Sequence, residues 1–149
     1  MKYFIYFSNS GNGDYVASIV KEYGYTPIKV EIVKPLKKMN FFRIIKYGGQ
    51  AMRAKKAPIK DLNLSLSEKD EVVIGSPIWN DRLSTPINSV LDVLRLNKET
   101  TRFILYPAGK TTSKSLKQIE KLGFKTNPVV VPYPKKYVEE TKSLLEAFK

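Results

Sequence analysis

The stretch Ser8-Asn9-Ser10-Gly11-Asn12-Gly13 decides how this chain folds. The apolar run 3–7 comes directly before it and is typical of a buried strand. The residues after it form a helical pattern with one apolar face, made of Val16, Ile19, Val20 and Tyr23. A short loop rich in hydroxyl, amide and glycine groups therefore joins a strand to a helix.

A loop of this composition at the start of a helix is typical of a phosphate site. Its backbone N–H groups and hydroxyls point at one spot, where the helix dipole is positive. Residues 8–13 include no lysine, unlike nucleoside-triphosphate loops that end in Gly-Lys-Ser or Gly-Lys-Thr. The pattern predicts a single terminal phosphate that is held by hydrogen bonds rather than by a side-chain cation.

The composition is that of a globular protein. Because the chain has 149 residues, of which 42% are hydrophobic and 27% charged, we expect one domain spanning 1–149. No apolar run approaches the roughly 20 residues that span a bilayer, and Met1-Lys2 opens no signal-peptide pattern. We therefore expect a cytoplasmic protein with no membrane partner.

The sequence contains no cysteine or histidine, and its net charge is strongly positive. The absence of cysteine and histidine excludes thiolate nucleophiles and histidine-based triads or metal sites. We predict no catalytic residue and no metal ligand, so an enzyme built from this chain would take its chemistry from a cofactor. The net charge of +12 indicates either an acidic partner or a solvated, lysine-rich surface. The scattered lysines favour the surface and argue against nucleic-acid binding.

Strand-like runs alternate with helical patterns along the chain, at 3–7, 28–33, 71–75, 103–106 and 129–131. This alternation predicts an α/β fold: a doubly wound, five-stranded parallel sheet with helices on both faces. The second run alternates polar and apolar residues like an edge strand, whereas the first and third are nearly all apolar like central strands. The predicted order is 2-1-3-4-5, with a crevice between the carboxyl ends of strands 1 and 3.

Two further loops are predicted at this crevice. The loop Gly75–Pro86 holds the only tryptophan, Trp79, which either faces a planar ligand, the interpretation that we favour, or closes the core. Asn80 is either a hydrogen-bonding partner of a ligand ring or part of a plain polar turn. In the loop 107–113, Ala108 and Gly109 either allow close backbone approach to a ligand or form an ordinary strand-to-helix turn.

With these motifs the chain resembles the flavodoxin family. Residues 8–12 resemble its phosphate loop, commonly S/T-x-T/S-G-N-T, and Ile74–Trp79 resembles its second loop, often I-G-[ST]-P-[IV]-[YW]. Tyr47-Gly48-Gly49-Gln50-Ala51 resembles a segment of some short members. The order of elements also fits, so the resemblance spans the whole chain.

The resemblance implies flavin mononucleotide (FMN) as the cofactor, bound at the carboxyl ends of the strands. It places the phosphate on Ser8, Asn9, Ser10, Gly11, Asn12 and Gly13. It places the isoalloxazine ring against Pro77, Ile78, Trp79 and Asn80 on one side, and against Ala108 and Gly109 on the other.

The resemblance implies a redox protein of flavodoxin type, which carries electrons through a non-covalent flavin to a partner protein. If the basic surface recognises this partner, the partner is acidic. Two alternatives stay open. One is an FMN-dependent NAD(P)H oxidoreductase of quinone-reductase type. The other is a flavin-free binding module, suggested by Gly13, where the family usually has a hydroxyl, and by Asp14, whose carboxylate would compete with a phosphate. The sequence predicts no oligomeric state.

Overall fold

The computed structural model describes residues 1–33, 56–109 and 112–149. The resembling segment 47–51, the predicted helical pattern through Phe41 and Met52, and Lys110 lie outside the described residues. Six strands of these described residues form one sheet: β1 (Lys2–Tyr6), β2 (Thr26–Lys29), β3 (Glu71–Trp79), β4 (Arg82–Leu83), β5 (Arg102–Pro107) and β6 (Val129–Val130). The strand order is β2-β1-β3-β5-β6, all parallel, and β4 pairs antiparallel with β3.

Helices cover both faces of the sheet, as the alternation predicts. The four α-helices of the described residues are α1 (Asn12–Glu22), α2 (Thr85–Val93), α3 (Ser113–Lys121) and α4 (Val138–Leu145), which a 3₁₀ turn extends over Glu146–Phe148. One buried cluster joins the sheet to α1 and α4 through residues such as Val16 and Leu145. The other joins it to α2 and α3 through Ile87 and Ile119. The chain is therefore doubly wound.

The structure differs from the predicted order 2-1-3-4-5 because it contains one strand that the periodicity does not reveal. β3 continues past the expected end at residue 75 as far as Trp79, and a two-residue turn then returns the chain as β4. Asn80 and Asp81 form this turn, with φ angles of 49° and 59°. Two successive positive φ angles are typical of the type I′ hairpin turn, for which asparagine and aspartate are suited.

The second strand is also shifted from its predicted range of 28–33. β2 pairs with β1 only as far as the register Tyr6↔Lys29, because β1 itself ends there. Beyond that point Ile32 forms an antiparallel bridge with Ile59, and the backbone N–H of Lys60 donates to the carbonyl of Glu31. The alternating pattern therefore continues past the sheet edge into a second, local pairing.

None of the helices in the described ranges has both the length and the apolar character that a membrane crossing requires.

Candidate functional site

The carboxyl ends of the parallel strands bring the three predicted loops to one edge of the sheet. β1 leads into residues 8–13, here called the β1–α1 loop; β3 leads into the β3–β4 hairpin; and β5 leads into Ala108 and Gly109. The register Ile78↔Pro107 places the second and third of these side by side. The backbone N–H of Phe7 donates to the carbonyl of Gly75, which joins the first to the second.

The β1–α1 loop has the backbone geometry of an anion site. Gly11 precedes α1 with a φ of 87° and a ψ of −5°, a left-handed conformation that glycine adopts without strain. The buried Ser8 accepts a hydrogen bond at Oγ from the backbone N–H of Gly13, over 3.1 Å. This bond leaves the hydroxyl proton of Ser8 available to a ligand. Asn9 and Ser10 are exposed, and Asn12 opens α1 half-buried.

The loop offers unused donors to solvent. Within the described part of the chain, no hydrogen bond uses the backbone N–H groups of Ser10, Gly11 or Asn12. The side chains at the start of α1 supply no cap bond either. Free N–H groups at the positive end of a helix dipole bind anions, and a left-handed residue beside a helical start makes them converge. The loop therefore presents backbone donors that can bind an anion.

Gly13, the apparent departure from the family pattern, is required by packing. A Cβ atom at this position would lie 2.7 Å from the Tyr106 hydroxyl, 2.8 Å from Ser8 Cβ and 2.9 Å from the Phe7 carbonyl oxygen. The Tyr106 hydroxyl donates to that carbonyl oxygen, and this hydrogen bond holds it in the space beside Gly13. Burial, and then the nearby Tyr6 and Asp14, raise the pKa of Tyr106, which keeps its hydroxyl a donor.

Asp14, the second departure, has partners of its own. Its carboxylate accepts a hydrogen bond from the Tyr6 hydroxyl over 3.0 Å and forms an ion pair with Lys29 over 2.8 Å. Burial, followed by the hydrogen bond to Asp14, raises the pKa of Tyr6, so this donor also stays protonated. Because Lys29 and Tyr6 already satisfy the carboxylate, Asp14 does not need the N–H groups of the β1–α1 loop.

The predicted ring-facing residues are placed differently from one another. Trp79 is 9% exposed and meets Phe7 edge to face, with ring centroids 5.8 Å apart, inside the core cluster of the α2–α3 face. Trp79 is the last residue of β3 and pairs with Arg82 of β4, so it is not in an open loop. Pro77 is buried, Ile78 is half-buried, and Asn80 is exposed at the hairpin tip. Ala108 is exposed and Gly109 half-buried at the end of β5.

Asp81 supports α3. Its Oδ2 accepts from the backbone N–H of Lys114 and from the Ser113 hydroxyl, both over 3.3 Å. A carboxylate at a helix N-terminus satisfies free N–H groups and complements the dipole. The hairpin is thereby fixed to the helix that follows the third loop.

Sequence reasoning missed one cation at this site. Lys135, in the connection between β6 and α4, donates from Nζ to the Ser10 carbonyl oxygen over 2.9 Å. The expectation of a phosphate held by hydrogen bonds rather than by a side-chain cation considered only residues 8–13, and Lys135 lies beside that loop. The signal was available, because the segment after the last parallel strand must also begin at the carboxyl edge of the sheet.

Of three comparisons with known proteins, the one with solved structures bears on the fold. No protein-family model matches the chain. No curated protein matches it. Among solved structures, a flavoprotein from Lactobacillus acidophilus in complex with FMN is similar, with a TM-score of 0.67 at 18% identity, over 93% of this chain and 96% of that chain.

Two further structures, described as candidate flavoproteins, are similar to the same degree. That from Bacteroides eggerthii has a TM-score of 0.68 at 18% identity, over 99% of this chain and 96% of its own. That from Bacteroides uniformis has a TM-score of 0.69 at 17% identity, over 97% of each chain. At such identities the likeness defines the class of fold, which is a flavodoxin-like α/β fold.

Proposed function

We propose that this protein binds FMN non-covalently, with the phosphate on the β1–α1 loop, and carries electrons through the bound flavin. The observation that carries the proposal is the set of N–H groups of Ser10, Gly11 and Asn12, which no described residue accepts, beside the Ser8 hydroxyl at the start of α1. Such a site suits a terminal phosphate. The fold is shared with a flavoprotein whose structure contains FMN.

Both features that suggested a flavin-free module have a packing explanation, which supports cofactor binding. Gly13 makes room for Tyr106 and still directs its own N–H to Ser8. Asp14 is held by Tyr6 and Lys29, away from competition with a phosphate. Neither residue therefore argues against a phosphate at the loop.

The ring of the flavin is proposed to lie at the same edge, between the β3–β4 hairpin and the end of β5. Ile78 and Asn80 would contact it from one side and Ala108 and Gly109 from the other. The flanking role that the family resemblance implies for Trp79 stays a prediction, since its ring is packed against Phe7. The bound flavin would supply the electron transfer, and these residues would bind and orient it.

The charge of the chain supports a partner of opposite sign. With a net charge of +12, association with an acidic redox protein is favoured electrostatically and weakens as salt is added. NAD(P)H oxidation by the flavin-loaded protein, without any partner, would instead indicate the oxidoreductase of quinone-reductase type.

The first experiment is an absorption spectrum of the purified protein, before and after incubation with FMN and desalting. We expect retained flavin bands. Ser10→Asp places a carboxylate where the phosphate would bind and should abolish retention by charge repulsion. Ser18→Asp makes the same change at an exposed position of α1 whose hydroxyl donates to the Tyr15 carbonyl, and it should retain flavin.

Two results would contradict the proposal. Wild-type protein that releases all added FMN on desalting would argue for the flavin-free module. Equal retention by the Ser10→Asp and wild-type proteins would show that the flavin binds elsewhere.

A further inference from the structure

We infer that Lys135 is the cationic contact for the ligand phosphate and makes the site selective for a phosphorylated flavin over an unphosphorylated one. The inference rests on the proposed function. Lys135 lies 125 positions further along the chain than Ser10 and donates to its carbonyl oxygen. The inference therefore adds a distant residue to the β1–α1 loop.

The ammonium group lies at the mouth of the loop. Lys135 Nζ is 2.9 Å from the Ser10 carbonyl oxygen and 3.1 Å from the point that a Cβ atom on Gly11 would occupy. Gly11 therefore leaves open the space in which Nζ sits. The same glycine carries one of the free N–H groups, so the cation and the backbone donors share one anion site.

Among the described residues, the charge of Lys135 is not used in an ion pair. None of the ion pairs among the described residues involves it, whereas Lys29, Lys60 and Lys56 each pair with a carboxylate. An ammonium group has three donors, and the Ser10 carbonyl takes one of them. Two remain for an oxyanion.

The turn that carries Lys135 is anchored on both sides. Tyr133 donates from its backbone N–H to the Pro107 carbonyl over 3.2 Å and from its hydroxyl to the Ala108 carbonyl over 2.7 Å. Pro134 is buried, and its carbonyl accepts a bond from Thr141 of α4. Because the backbone is held, Lys135 is directed to the loop without ordering a free segment on binding.

The adjacent lysine provides a matched control. Lys136 Nζ lies over the rings of Tyr133 and Tyr137, at 5.8 and 5.3 Å from their centroids, and not at the β1–α1 loop. Lys135→Gln and Lys136→Gln change the net charge equally. A difference between them therefore reports position and not overall charge.

The test measures dissociation constants for FMN and for riboflavin, which lacks the phosphate, by flavin fluorescence at low salt. We expect Lys135→Gln to weaken FMN binding about tenfold, as for the loss of one charge-assisted hydrogen bond, and to leave riboflavin binding unchanged. Lys136→Gln should change FMN binding less than about twofold. Lys135→Arg should bind FMN nearly as the wild type does, since the cation is kept.

Salt and pH give independent readouts. The affinity of the wild type for FMN should fall more steeply with ionic strength than that of Lys135→Gln. It should also fall as the phosphate is protonated near its second pKa of about 6, and less so in the variant. Equal FMN affinities and salt slopes in the wild type and Lys135→Gln would overturn the role of Lys135. A wild type that binds neither flavin would instead overturn the proposed function.

Discussion

At the scale of single residues, Gly13 decides how the β1–α1 loop is built. Its position in the first turn of α1 is one where alanine would ordinarily be favoured by helix propensity, by about 1 kcal/mol. The three atoms within 3.0 Å of an added Cβ include a backbone carbonyl and Ser8 Cβ, which cannot yield cheaply. Steric conflict therefore outweighs propensity.

We predict that Gly13→Ala lowers the free energy of unfolding by about 1–3 kcal/mol and weakens FMN retention. Gly109→Ala is the control for stability, because nothing lies within 4 Å of its added Cβ. Tyr106→Phe removes the nearest clashing atom. The double variant Gly13→Ala/Tyr106→Phe should therefore lose less unfolding free energy than the two single variants together. Urea unfolding measures the four variants and the wild type, and equal stability of Gly13→Ala and the wild type would contradict the steric argument.

At the scale of elements, β1 and β3 are matched through a second glycine. An added Cβ on Gly75 would lie 2.5 Å from Phe4 Cζ and 2.9 Å from Tyr6 Cβ. Phe4 and Tyr6 stack with their rings 5.0 Å apart and 6° from parallel, and the stack leans over β3 at this point. The glycine of the second motif is therefore a packing residue of the sheet.

Gly75→Ala should destabilise the protein by about 1–3 kcal/mol through overpacking, although alanine favours a strand interior over glycine. The companion substitution Phe4→Leu removes the nearest ring atoms, so the double variant should lose less than the two single losses together. Thermal unfolding distinguishes additive from compensating effects. Strict additivity would mean that the strands separate to accommodate the methyl group.

The β3–β4 hairpin and α3 are coupled through Asp81. Asp81→Ala removes the acceptor for Lys114 N–H and puts alanine at a φ of 59°, so a loss of about 1–2 kcal/mol is expected. Asp81→Asn keeps an acceptor and a residue that tolerates this conformation, and should lose less than half as much. Denaturant midpoints of the two variants give the comparison, and the reverse order would contradict it.

At the scale of the whole molecule, three buried tyrosines make stability depend on alkaline pH. Burial, assisted by a hydrogen bond to Asp14 and to Glu71 respectively, raises the pKa of Tyr6 and Tyr25. Burial also raises the pKa of Tyr106. A raised folded pKa means that the folded state holds the proton more tightly than the unfolded chain does.

The stability from these tyrosines is thus fully present below their unfolded pKa of about 10 and is lost as pH rises through the raised values. Unfolding free energies should decline as pH rises above about 10, and Tyr25→Phe should make the decline shallower. The same slope in both proteins would count against Tyr25. Absorbance titration should show these tyrosines ionising after the exposed ones.

The net charge of +12 also bears on the proposed flavin. Positive surroundings stabilise the anionic reduced form, so its reduction potential should exceed that of acidic relatives. A potentiometric titration of the FMN-loaded protein measures this. A very low second potential would contradict the electrostatic argument.

The sequence by itself determined the strand–loop–helix of residues 3–23 and the parallel α/β class, because these depend on neighbours within a few residues. The phosphate site at residues 8–13 stays a prediction. Local rules failed where pairing partners are distant: β2 ends at Lys29 because β1 ends, and β3 continues because β4 returns beside it.

Only the tertiary structure decided what surrounds the β1–α1 loop. By sequence alone, Tyr106 resembles any core aromatic, Lys135 any surface lysine and Trp79 a loop residue. Chain folding brings Tyr106 under Gly13, Lys135 onto Ser10 and Trp79 against Phe7. The physical reason is that hydrophobic periodicity specifies which face of an element is buried. Which atoms meet across two elements depends on strand register and on how helices cross the sheet, and no local pattern encodes these.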